Sequence, residues 1–210
     1  MAQASQRRTP RDKRRRFRRR IAAVLGYVLV VTAFAWYLES RLPTTIMFVR
    51  HAEVAAIPGD NDPPLSATGR VRAEALADFV EDVDVLSGVD AIYASEFRRT
   101  QETAAVVAER LGVDVEIANH SEVSDFMARV QREHRGDIVL IVSHSNLIGP
   151  LIAELHGHQS VPEIVENEFD NFYVVTIPLY GKVKTLRFHY GDSQREPPSG
   201  VKLSMPPVEE

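Results

Sequence analysis

The sequence predicts an α/β protein: a three-layer sandwich with a mixed, mostly parallel sheet, helices on both faces, and one N-terminal transmembrane helix. Three observations carry that expectation. Apolar runs of strand length alternate with amphipathic stretches of helix length from residue 44 to residue 190. The most apolar run of the body, DIVLIVS (137–143), is charge-free after its first residue, as a central strand covered on both faces requires. Ahead of this body, residues 21–38 contain no charged side chain.

The 210-residue chain is 44% hydrophobic and 26% charged, which fits one domain of ordinary size with appendages and excludes a collagen-like, fully disordered or polytopic membrane chain. It has no Cys, which excludes disulfides, Cys-ligated zinc and a thiol nucleophile. The net charge of −4 hides a division. Residues 1–20 hold ten basic side chains against Asp12 alone, a charge of +9, and the remaining 190 residues carry −13. An acidic body argues against a nucleic-acid partner.

The run IAAVLGYVLVVTAFAWYL (21–38) lies between Arg20 and Glu39. As a helix its 18 residues span about 27 Å, close to the roughly 30 Å of a bilayer core. Trp36 and Tyr37 sit at its exit, where aromatic rings favour the headgroup layer. A cationic flank stays in the cytoplasm. Residues 1–20 are therefore expected to be a cytoplasmic tail and 21–38 a signal anchor bound to membrane lipid. The domain over 43–190 is then extracytoplasmic, at the inner (plasma) membrane. Cleavage after Ala33-Phe34-Ala35 is the alternative, and Arg14-Arg15-Arg16-Phe17 has the form of a weak twin-arginine signal.

In the body, TTIMFVR (44–50) reads as the first strand. After the turn-rich PGDNDPP, residues 64–80 read as a helix capped by Ser66, with Val71, Ala75, Leu76, Phe79 and Val80 facing inward. VDAIYAS (89–95) is the second strand. A helix over 96–111 turns Phe97, Ala104, Val107, Ala108 and Leu111 to the core and stops at Gly112. VDVEI (113–117), a helix over 121–134, the central strand and a helix over 146–156 ending near Gly157 follow. FYVVTIP (172–178) and VKTLRFHY (183–190) are joined too closely for a parallel crossover, so they are expected to pair antiparallel. Residues 191–210, with four Pro and few apolar residues, read as a disordered tail.

Ligands of such folds bind beyond the carboxyl ends of strands. Three of these ends are rich in one chemistry: Arg50-His51-Ala52-Glu53, Ser95 followed by Arg98-Arg99, and Ser143-His144-Ser145-Asn146. Two His and at least two Arg converging on one rim of an acidic protein call for an anionic ligand, most simply phosphate.

These blocks resemble the histidine phosphatase family, the phosphoglycerate mutase-like group. FVRHAE is similar to its Arg-His-Gly/Ala signature, and DPPLSATGRVRAEALA (62–77) to its Leu-Ser/Thr-x-x-Gly-Arg helix. YASEFRRTQETA (93–104) is similar to Ser-x-x-x-Arg-x-x-x-Thr-Ala, whose spacing selects Arg99 over Arg98, and VSHSN to the second His block. The Ala after His51 and Ser145-Asn146 after His144 look like a bacterial Arg-His-Ala-Glu branch that includes small phosphohistidine phosphatases. The resemblance covers about residues 44–190.

It implies a phosphatase that forms a phosphohistidine on His51, with Arg50, Arg99 and His144 on the nonbridging oxygens and no cofactor. No metal is expected either: a zinc site on His51 and His144 lacks a convincing third ligand. Asn146 either contacts phosphate or opens its helix, and Ser95 is a helix cap or a ligand contact. A general acid is not evident. Glu53, Glu122 and Asp125 are the candidates, Glu53 the favoured one, with a solvated surface acid as the alternative for each; Glu166, Glu168, Asp170 and Asn171 either border the pocket or take surface or turn roles. The expected partner is a phosphorylated small molecule or envelope component. A mutase-like phosphotransferase and a silent phosphate-binding module are the alternatives.

Overall fold

The computed structural model describes residues 10–39, 42–83, 88–156 and 161–191. The chain divides into two compact units, Met1–Leu42 and Pro43–Glu210. Among its described residues the first unit contains one helix, α1 (Pro10–Glu39), in which Phe17–Tyr37 is long and apolar enough to cross a membrane. None of that stretch is covered by protein, so its apolar side chains have no core of their own. The helix fits the predicted anchor in length and composition.

The second unit runs β1 (Thr44–Arg50), α2 (Ala67–Val83), β2 (Ala91–Ala94), α3 (Arg98–Leu111), β3 (Val115–Ile117), α4 (Val123–Glu133), β4 (Ile138–Ser143), α5 (Ser145–His156), β5 (Asn171–Ile177) and β6 (Lys184–His189). The strands form one sheet in the order β3-β2-β4-β1-β5-β6. β3, β2, β4 and β1 are mutually parallel, β5 runs antiparallel to its neighbour β1, and β6 runs antiparallel to β5. The mixed sheet and the central place of residues 138–143 are as the sequence predicts. The tail over 192–210 and the stop at Gly157 lie outside the described residues.

Strand alternation places a core on each face. Val139 and Ile141 of β4 pack with Phe126, Met127 and Val130 of α4 and with Ile148, Leu151 and Ile152 of α5. Leu140 and Val142 turn the other way, against Leu76 and Val80 of α2 and Ala104 and Val107 of α3. Burying each large apolar side chain contributes about 1.5–3 kcal/mol.

Two helix expectations need correction. Val71 is 70% exposed, because the inward face of α2 is Ala73, Leu76, Ala77 and Val80. Two residues before Ala73, Val71 stands about 200° round the helix from it. Phe97 precedes α3 as its N-cap residue and does not enter the core from within the helix. Gly112 ends α3 as expected, in the left-handed conformation (φ 67°) with its N–H donated to the carbonyl of Ala108.

Because four strands are parallel, their carboxyl ends share one edge of the sheet. Arg50, Ala94, Ile117 and Ser143 end there, and antiparallel β5 begins there at Asn171.

Candidate active site

Arg50 is paired in register with Ser143, and the backbone N–H of His51 donates to the Ser143 carbonyl at 2.9 Å. His51 therefore begins where the β1–β4 ladder ends. Its ring is 5.3 Å from that of His144, edge to face at 65°. His51 Nδ1 lies 2.8 Å from the carbonyl oxygen of Ala52. A carbonyl only accepts, so Nδ1 carries the proton, and in the neutral ring Nε2 keeps its lone pair. Burial, with His144, Arg50 and Arg99 adding positive repulsion, lowers the His51 pKa to about 3. The imidazole is thus neutral at pH 7 and nucleophilic at Nε2.

His144 follows β4 and accepts the first amides of α5, Leu147 at 3.0 Å and Ile148 at 3.1 Å, on its carbonyl. Its Nε2 is 2.9 Å from Ser95 Oγ. Thr100 Oγ1 lies 2.7 Å from the carbonyl of Phe97 and must donate there. The Ser95 hydroxyl then donates to Thr100 Oγ1 at 2.8 Å and accepts from His144 Nε2–H. Ser95 is therefore the anchor that orients His144, and its oxygen also receives the Phe97 amide at 3.4 Å in the turn before α3. Burial and then the neighbouring Arg99 lower the His144 pKa to about 4.

The two neighbouring arginines are separated by exposure and partners. Arg99 lies with its guanidinium 4.3 Å from the Phe97 ring centre, and Phe97 in turn packs edge-on to His144 at 5.2 Å. Arg98 is 57% exposed and pairs with Glu102 at 2.6 Å. Asp62 accepts the Arg98 amide at 2.9 Å and lies 3.6 Å from Arg99 Nη1, so the loop before α2 closes over the start of α3.

Arg50 is buried and lies 4.0 Å over the Phe169 ring. Its Nη1 donates to the carbonyls of Val165, Glu166 and Glu168 at 3.2, 2.7 and 3.0 Å. One edge of the guanidinium thus holds the turn before β5, while its Nε is a buried donor without a partner. Glu166 and Glu168 border the site through these carbonyls. The Glu168 carboxylate accepts from Asn171 Nδ2 at 3.2 Å, and Asp170 pairs with His189 at 3.2 Å.

Glu53 sits in a fixed frame. Its carboxylate Oε1 is 2.6 Å from Arg72 Nε, and its carbonyl accepts the Ser66 amide at 2.9 Å. Ser66 caps α2 as expected, its Oγ accepting from Gly69 N at 3.0 Å. A Cβ at Gly69 would overlap the Glu53 carbonyl oxygen, which is the physical reason for glycine there. Glu53 thus has one oxygen committed to Arg72 and the other, Oε2, buried without a partner. Glu122 and Asp125 are exposed at the start of α4, and Asn146 is exposed in the first turn of α5.

Sequence reasoning passes over three residues that the structure gathers near this edge. Thr103 accepts the Ala52 amide at 3.0 Å, a role hidden inside the quoted Thr-Ala motif. Phe169 stands 6.1 Å from the His51 ring, with no sequence pattern to mark it. His120 follows β3 and meets Ser143; a search for imidazoles as well as carboxylates after β3 would find it. Among the described residues, no group of three or more His, Cys, Asp or Glu is placed to hold a metal ion.

Residues 46–122 match the model of the histidine phosphatase superfamily (branch 1). That stretch includes Arg50, His51, Ser95 and Arg99 and stops before His144. Among solved structures, the chain is similar to the protein histidine phosphatase SixA complexed with tungstate, with 20% identity and a TM-score of 0.56 over 69% of this chain and 96% of that one. It is similar to a mycobacterial glucosyl-3-phosphoglycerate phosphatase, with 16% identity and a TM-score of 0.55 over 72% and 100%. A phosphoglycerate mutase from Plasmodium falciparum aligns with 15% identity and a TM-score of 0.54 over 74% and 97%. At these identities the likeness is one of fold. No curated protein matches the chain. Family model and fold together show the resemblance carried by the sequence blocks: the body has the fold of the histidine phosphatase superfamily, and residues 46–122 carry the sequence pattern of its branch 1.

Proposed function

We propose that this chain is a membrane-anchored phosphatase that hydrolyses a phosphomonoester or phosphoramidate through a phosphohistidine on His51, without a metal or cofactor. The observation that carries the reading is the 2.8 Å contact of His51 Nδ1 with the Ala52 carbonyl. It leaves the Nε2 lone pair available beside the neutral His144 ring and the cations Arg50 and Arg99.

In the first step the Nε2 lone pair forms the P–N bond, and the P–O or P–N bond to the leaving group breaks with its electron pair going to that group. Arg99 and the free edge of Arg50 neutralise charge on the nonbridging oxygens, and His144, once protonated, joins them. In the second step a water oxygen attacks phosphorus and the electron pair of the P–N bond returns to His51. Two neighbours are phosphatases by description, one of them holding tungstate, an oxyanion of phosphate-like shape. The mutase among the neighbours keeps a phosphoglycerate mutase-like phosphotransferase as the second reading.

The basic flank of α1 supports a cytoplasmic start and an extracytoplasmic body at the inner (plasma) membrane. Location favours a phosphorylated small molecule or envelope component as substrate. A reporter fused after Glu210 should work only outside the cytoplasm, and activity confined to the cytoplasm would refute the placement.

The enzymatic reading is tested with detergent-solubilised full-length protein and 4-nitrophenyl phosphate. Turnover that vanadate inhibits and chelators leave intact is expected. Vanadate binding without turnover would identify a silent phosphate-binding module, and loss of turnover on chelation would overturn the metal-free mechanism.

A further inference from the structure

His120 is a buried imidazole with no part in the steps described above. β3 is parallel to β2, and the Ala118 amide extends the pairing by donating to the Ala94 carbonyl at 2.9 Å. The chain then leaves the sheet at the edge where Arg50 and Ser143 also end. Asn119 accepts the Ser121 amide on Oδ1 at 2.9 Å, a local turn that leaves both residues exposed. His120, between them, is turned inward and is only 1% exposed.

Its ring stacks on Phe126 of α4, with centroids 4.5 Å apart and planes 27° apart. Nδ1 is 3.0 Å from Ser143 Oγ. Ser143 is the residue whose carbonyl holds the His51 amide and whose successor is His144. His120 is therefore linked to the nucleophile's backbone through one residue. Its Nε2, by contrast, is buried with no hydrogen-bond partner. An unpartnered buried polar nitrogen costs about 1–3 kcal/mol, a cost that a purely structural position avoids with an apolar side chain.

The acid candidates read from the sequence and His144 sit differently, although Glu53 Oε2 is, like His120 Nε2, buried without a partner. Glu53 is paired with Arg72, Glu122 and Asp125 are exposed, and His144 Nε2 is held by Ser95. Burial first, then the charges of His144 and Arg129, lower the His120 pKa to about 4, so its ring is a neutral base at pH 7.

Resting on the phosphohistidine reading, we propose that His120 is the proton-transfer residue of the second step. In this role His120 takes the tautomer that donates Nδ1–H to Ser143 Oγ, which leaves the Nε2 lone pair to receive a proton. As the water oxygen forms its bond to phosphorus and the P–N electron pair returns to His51, one water proton passes to His120 Nε2. Phosphate leaves, and the imidazolium releases that proton to solvent. Phosphorylation of His51 by an aryl phosphate needs no such acceptor, so the two steps respond differently to loss of His120.

The test is rapid-quench and burst kinetics of the full-length protein with 4-nitrophenyl phosphate. His120→Asn keeps an amide nitrogen near Ser143 and removes Nε2, and His120→Ala leaves space for added imidazole. Both variants should release about one nitrophenolate per enzyme at the wild-type burst rate, then turn over at least about 10²-fold more slowly. Acid-labile, base-stable phosphoenzyme should accumulate, and imidazole should speed its decay in His120→Ala. Wild-type turnover in both variants, or burst and steady state falling together in both, would overturn the role of His120. If turnover proceeds with no phosphoenzyme in the variants or the wild type, while His51→Ala remains active, the phosphohistidine reading itself fails and His120 loses its assigned step with it.

Discussion

The backbone amide of Ala52 donates to the hydroxyl of Thr103 at 3.0 Å, and that hydroxyl donates in turn to the carbonyl of Arg99 at 2.7 Å. The residue after His51, the proposed nucleophile, is thereby fixed to the helix that carries Arg99, the arginine proposed to hold phosphate. Both Ala52 and Thr103 are fully buried, so water cannot replace the bond. Thr103→Val keeps the shape and removes the acceptor, leaving a buried N–H unpaired at about 1–3 kcal/mol. Thermal melts should show that loss, and kcat should fall by up to about 10²-fold as His51 shifts relative to Arg99. Thr103→Ser should retain both properties. A valine variant as stable and active as the serine variant would remove the link.

Arg99 and Arg98 differ by one position and face different surroundings. Arg99→Ala removes a cation beside both histidines and should cost roughly 10²–10³ in kcat. Arg98→Ala breaks an exposed pair with Glu102, a pair of about 0.3–0.5 kcal/mol in helices, and should leave kcat within a few-fold of wild type. Equal losses in steady-state assays would contradict the assignment.

Gly69 lets the first turn of α2 lie against the backbone of Glu53, two residues past His51. Gly69→Ala would force a methyl group into the Glu53 carbonyl, and overpacking of this kind costs about 1–3 kcal/mol. The substitution should lower both Tm and kcat, although Ala is the better helix former. A variant more stable than wild type would show that the approach is looser than the structure has it.

Three buried histidines set the acid side of the stability profile. Burial lowers His51 to about 3, and His120 and His144 to about 4, against about 6.5 in an unfolded chain. Between these values the unfolded chain binds more protons, so stability rises with pH through this range and is lost as pH falls from about 6.5 towards 4. Melting curves of the ligand-free protein should show Tm falling from pH 7 to pH 5. His120→Asn should fall less steeply, since one buried imidazole no longer resists protonation. Identical slopes for the two proteins would show that His120 is not buried in its neutral form.

The sheet was legible because strands 138–143 and 44–50 are apolar on both faces, and the turn at Tyr180-Gly181 fixes the direction of the last pair. The phase of α2 was not, because Val71 and Ala73 differ too little in the sequence to show which one meets the core. His51 and His144 could be read because each directly follows the end of a parallel strand, and Arg99 because its spacing from Ser95 matches the motif the family resemblance supplies. What escaped depends on distant partners. Arg50 finds its carbonyl acceptors more than a hundred residues later, and Glu53 is drawn to Arg72 by the docking of α2. His120 is buried by contacts with Phe126 and Ser143, which no local periodicity reveals.

The central claim is that His51 Nε2 becomes covalently phosphorylated. Rapid acid- and base-quench of full-length protein turning over phosphorus-labelled substrate tests it most directly, with peptide mapping of the base-stable label. The account predicts a label that acid removes and base preserves, located at His51 and absent from His51→Ala, whose turnover is also abolished. Full turnover by His51→Ala would contradict it.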